Sequence, residues 1–334
     1  MIDDQAVHTE EQMPTAPRRF AGRALRIFRR VIVVALAFSL GLGTGYFAWG
    51  RTEVLTDDRL TQAAPTQAGI QIDLAALSRQ VNPPEGYTLP AMYGDLGPSL
   101  LAAGAIDLDR FVRLYEEAGR SLTEDQLAIL TEGGDDPIVI DAGNASFLLN
   151  FFWAVGLTNR NRILTEGPMT QGGQAQVGNF ASTAGWTIGE KSATDLYASA
   201  SLITLATEQQ LRLEEVARNV YRPCCDNPTH FPDCNHGMAM LGLLELMASQ
   251  DATTDEMLAA AKYVNAFWYP QQTLEQAMFF KAARGLDFDQ VQPREIVGAR
   301  YSSASGFRAV HKLLADNGLL QPSSSGGNSC GVQP

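Results

Sequence analysis

The chain has 334 residues, of which 45% are hydrophobic and 19% charged. That composition is globular, excludes a low-complexity chain, and makes one large domain or two smaller ones. A formal net charge of −12 excludes the broadly basic face that phosphate backbones need, so no nucleic-acid partner is expected.

The N-terminal arm, residues 1–30, carries six arginines (Arg18, Arg19, Arg23, Arg26, Arg29, Arg30) against four acids, which leaves a net −14 on the rest of the chain. Residues 31–49, VIVVALAFSLGLGTGYFAW, contain no charge. As a helix they would span about 28 Å, close to the hydrocarbon thickness of a bilayer. A cleaved signal peptide has a shorter apolar core and small residues at its cleavage site, a pattern that GTGYFAWGR fits poorly. Residues 31–50 are therefore expected to form an uncleaved single-pass transmembrane anchor. The excess of arginine keeps the basic arm 1–30 in the cytoplasm and sends the remainder out of it, a cell-membrane protein with an extracytoplasmic C-terminal domain.

Residues 51–68 are polar, lack an apolar stripe and read as a linker. Residues 69–320 are expected to form one mainly α exported domain. Within it, Leu108, Phe111, Val112 and Tyr115 fall on one helical face. Capping-box pairs mark helix starts at Thr123/Gln126, Thr207/Gln210, Thr253/Glu256 and Thr273/Gln276. Pro137 to Ile140, PIVI, is a candidate short strand, and Asn144 to Leu157 is apolar nearly all round and reads as a buried helix. Thr165 to Gly189 holds six glycines and reads as an extended surface loop or short strands. Residues 321–334 are Ser/Gly-rich and read as a flexible tail.

The chemistry concentrates in CCDNPTHFPDCNHGMAM, Cys224 to Met240, which holds three of the four cysteines and two of the four histidines. It joins two predicted helices within a Cys/His motif, residues 221–247. Pro223 ends the upstream helix near Tyr221, and Cys234 lies at the N-terminus of the next. A helix N-terminus stabilises a thiolate through its free N–H groups and dipole. Cys224, Cys225, Cys234, His230, His236, Met238 and Met240 offer soft or borderline ligands suited to copper or zinc. The thioethers favour copper, because a vicinal pair followed by Cys-x-His lacks the two chelate pairs of structural zinc sites. Met238 and Met240 have a competing reading as core residues, because methionine at helical spacing usually fills gaps in a core. His311 reads as a structural histidine and Glu245 as an ordinary helix-surface charge.

Disulfides are the competing reading for an exported domain. Adjacent Cα atoms lie about 3.8 Å apart, below the usual disulfide range of about 4.4–6.8 Å, so Cys224 should not pair with Cys225. Two arrangements then stand: Cys224–Cys234 with Cys225–Cys330, or Cys224–Cys330 with Cys225–Cys234. Both explain why an otherwise featureless tail holds Cys330. A cycling redox thiol is the third reading. Common hydrolase, zincin and c-type haem motifs are absent, and Cys234 and His236, two apart on a helix, do not face each other as a nucleophile and base would. No enzyme activity and no particular protein partner are inferred.

RPCC, then a histidine, DCNHG, a helix and ASQDATTDEMLAAAKYVNAFW, residues 222–268, resemble the bacterial envelope proteins named for a PCYCGC motif. The resemblance implies an exported, membrane-tethered, metal-binding protein. The chain departs from that pattern in having no third cysteine close to Pro223-Cys224-Cys225, and in placing Met238 and Leu241 where further cysteines are expected.

Overall fold

The computed structural model describes residues 72–320, Trp186 excepted. The expected arm at 1–30, anchor at 31–50, linker at 51–68 and tail at 321–334 with Cys330 therefore lie outside the described residues. Within them 59% of positions are helical and 7% lie in strands, a mainly α domain.

The described chain begins with α1 (Leu74–Val81), whose cap Asp73 accepts from the Ala76 N–H. Strands β1 (Tyr87–Gly94) and β2 (Gly134–Ile140) pair antiparallel, Tyr87 opposite Ile140 and Gly94 opposite Gly134. Helices α2 (Leu96–Ala102), α3 (Leu108–Glu117) and α4 (Glu124–Thr131) are inserted between them. PIVI thus belongs to a longer strand. Its partner β1 escapes a sequence reading because Pro90 interrupts the run, although Leu89, Ala91 and Tyr93 alternate inward. Proline is tolerated there because every strand of a two-stranded sheet is an edge. The α3 face is as expected, with Phe111 and Tyr115 buried.

The centre of the domain is α5 (Ala145–Thr158) packed on α9 (Asn235–Ser249), both buried on every side along most of their length. Two glycines allow the backbones to touch. A Cβ at Gly156 would lie 2.1 Å from the Met238 carbonyl oxygen, and one at Gly242 would lie 2.4 Å from that of Phe152. Between these helices run α6 (Arg162–Thr165), two short 3-10 turns (Pro168–Thr170 and Gln174–Asn179), α7 (Ala193–Leu196) and α8 (Thr207–Asn219). The glycine-rich stretch forms no strand among its described residues and is not a free surface loop. Met169, Val177 and Ile188 are buried, and the Trp153 indole donates to the Ser182 carbonyl at 3.0 Å.

The C-terminal part comprises α10 (Thr254–Trp268), α11 (Pro270–Arg284), α12 (Pro293–Ile296), α13 (Ala299–Ser302) and α14 (Ala304–Asp316). Capping boxes form at Thr123/Gln126 and Thr253/Glu256. The other two proposed starts are displaced. At α8, Gln209 accepts from the Ala206 N–H, one residue earlier than Gln210 would. At α11, Pro270 occupies the first turn, where its missing N–H removes no bond, so Thr273 lies inside the helix and buried Gln276 instead donates to the Tyr301 carbonyl.

Glu245 also departs from expectation. It is fully buried in α9, where one carboxylate oxygen accepts from Asn159 at 3.1 Å. Burial holds its pKa well above the ordinary carboxylate value.

Candidate functional site

The loop from Val220 to Asp233 doubles back on the end of α8. Val220 O accepts from Thr229 N–H, and Ala217 O accepts from His230 N–H. Arg222, 1% exposed, fastens the turn from within. Its Nη1 donates to Asn227 O at 3.0 Å, its Nη2 to Phe231 O at 3.3 Å and to Asp233 Oδ1 at 2.9 Å, and its Nε to Cys234 Sγ at 3.0 Å. Gly237 makes room for this guanidinium, since a Cβ there would lie 2.2 Å from Arg222 Nη2. The glycine-rich segment covers the far side: Ser182 N–H donates to Asp233 O, and the Phe180 ring meets that of Phe231 edge-on.

The three cysteines are half-buried, and their sulfurs all lie within 4.8 Å of one another. Cys234 is the N-cap of α9, its sulfur accepting from Gly237 N–H at 3.4 Å. Cys224 Sγ lies 3.3 Å from Cys234 Sγ and accepts from the Tyr269 hydroxyl at 3.0 Å. Cys225 Sγ donates toward Asn227 O at 3.8 Å and Asp233 Oδ1 at 3.6 Å. No disulfide joins Cys224, Cys225 and Cys234 to one another.

Protons are unevenly held. Hydrogen bonds from Cys224 and Cys225, aided by Arg222, hold Cys234 well below the usual thiol value. Cys224 moves upward, through its contacts with Cys225 and Cys234 and through burial. For Cys225 the Cys224 contact pulls down, but the Cys234 contact and burial outweigh it and push the thiol up to about 12. Burial lowers Arg222, yet the cysteine charges, Cys234 foremost, raise it overall. Of the three thiols, Cys234 is the one drawn toward the thiolate, and it shares the Arg222 guanidinium with the Asp233 carboxylate.

The remaining sequence candidates sit around this core rather than in it. Neither His230 nor His236 contributes a ring nitrogen to the sulfur group. His236 is buried against Tyr269, with ring centroids 4.6 Å apart, and burial lowers it to about 4. His230 is lowered by burial and by Arg218, with Glu214 opposing. Met238 and Met240 are fully buried in α9. Sequence reasoning missed Arg222, Asp233, Gly237 and Tyr269, although the first three flank the cysteines in RPCC and DCNHG.

No family model matches the chain. No curated protein matches it. No solved structure matches it.

Proposed function

We propose that this chain is a membrane-anchored extracytoplasmic protein that binds a soft metal ion through Cys224, Cys225 and Cys234, Cu(I) in preference to Zn(II). The observation that carries this reading is the grouping of three sulfurs within 4.8 Å. Metal–sulfur bonds of about 2.3 Å set the sulfurs of a trigonal site about 4 Å apart, so the triad is close to the required size. Structural zinc usually takes four ligands, whereas soft thiolates in lower number suit Cu(I). The resemblance of residues 222–268 to PCYCGC-motif envelope proteins agrees with this reading.

In this proposal residues 31–50 anchor the protein, residues 1–30 remain in the cytoplasm, and residues 69–320 form the exported domain. Anaerobic titration of the reduced full-length chain with Cu(I), against a competing chelator, is expected to give one tightly held equivalent, lost in Cys234→Ser. Copper uptake unchanged by that substitution, or none at all, overturns the reading.

A further inference from the structure

The same loop holds a second chemistry that needs no metal. Cys224 Sγ and Cys234 Sγ are 3.3 Å apart, nearer than the roughly 4 Å of a trigonal metal site and about 1.3 Å from disulfide bond length. Cys225 also contacts both of these sulfurs, but unlike them it faces two oxygen acceptors, Asn227 O and Asp233 Oδ1. The loop does not rely on a covalent bridge for its shape. Arg222 ties residues 227, 231, 233 and 234 together from inside with no disulfide among Cys224, Cys225 and Cys234. A bridge that opens and closes without loss of the surrounding fold is what an exchanging dithiol requires; a bridge that alone holds its loop is a staple.

We propose that Cys224 and Cys234 form a dithiol–disulfide couple that exchanges with disulfides reaching these half-buried cysteines, Cys225 standing outside the couple. Cys234 attacks one sulfur of an incoming disulfide, forming a mixed disulfide and releasing the first thiolate. Its sulfur accepts from Arg222 Nε and Gly237 N–H, donors that hold an attacking negative charge. Cys224, poised beside it and hydrogen-bonded by Tyr269, then attacks Cys234 Sγ and releases the second thiolate. One S–S bond breaks and one forms. The incoming disulfide is reduced by two electrons to two thiols, which take up the two protons the cysteines give up, and the Cys224–Cys234 pair is oxidised. The reverse reaction oxidises a dithiol. Oxidation would also remove two of the three sulfurs proposed above as metal ligands, but the couple itself does not rest on that reading.

The test uses full-length protein freed of metal with a chelator. Equilibration in buffers of reduced and oxidised glutathione, followed by maleimide quenching and peptide mapping, is expected to give a single Cys224–Cys234 bridge that fills and empties with the buffer ratio. With dithiobis(nitrobenzoate), Cys225→Ser/Cys330→Ser is expected to release two chromophores and retain none. Adding Cys224→Ser is expected to release one and retain one as the mixed disulfide on Cys234. A bridge to Cys225 or Cys330, a bridge that no glutathione ratio reduces, or free thiols in every buffer overturns the couple. Copper binding can fail while the exchange succeeds, and the reverse, so the two outcomes separate the two readings.

Discussion

Arg222 shows how much one buried side chain is asked to do. It is a cation with almost no solvent contact, and its partners are two loop carbonyls, the Asp233 carboxylate and the Cys234 sulfur. Removing one member of such a buried pair leaves its partner's charge uncompensated, typically at about 3–5 kcal/mol. Arg222→Met is therefore expected to lower Tm by roughly 10 °C for a domain of this size. Arg222→Lys keeps the charge but lacks the planar fork, and should recover only part of the loss. A shift of a degree or two for the methionine variant, read by thermal unfolding, would show that the loop is held by something else. Sequence alone does not reveal this role. The residue is visible beside the cysteines, but its acceptors are identified only once the loop has closed.

At the scale of elements, the contact between α5 and α9 carries two further expectations. Gly242→Ala would press a methyl group 2.4 Å from the Phe152 carbonyl oxygen, and backbone cannot step aside as a flexible side chain can. A cost of about 3 kcal/mol or more is expected in urea unfolding. Glu245, in the same contact, is raised by burial from an unfolded value of 4.5. A raised pKa gives stability that is complete below 4.5 and declines as pH rises toward the folded value, by up to about 1.4 kcal/mol per pH unit. Glu245→Gln removes that titration. The variant should therefore gain on the wild type between pH 4.5 and 7, and a pH-independent difference would place the stabilisation elsewhere. α5 is legible from its unbroken apolar run, and α9 from its cap and the apolar stretch behind it. That the two touch through glycines, and that an acid lies between them, is not legible, because a charged letter in a helical run reads as surface until a neighbour covers it.

For the whole molecule, the proposed anchor gives a simple expectation. Deleting residues 1–50 should move the protein from the membrane to the soluble fraction and leave the Tm of the 72–320 domain unchanged; retention in the membrane fraction would locate the attachment outside residues 31–50. Helical class and the cysteine loop follow from local patterns, capping pairs and proline positions. The two-stranded sheet and the cover over the loop do not, since they join residues far apart in the chain. One such junction ties the site to α14. Ala304 N–H donates to Cys225 O at 2.9 Å, and Ser305 N–H donates to Asp226 Oδ1 at 2.7 Å. These are first-turn donors of a helix, satisfied by a loop 79 residues upstream. A ribosome finishes Cys224, Cys225 and Cys234 well before it reaches residues 304 and 305. For that interval of synthesis the cysteine loop lacks these two donors, so its hydrogen bonding is completed only once the last helix of the domain has been made.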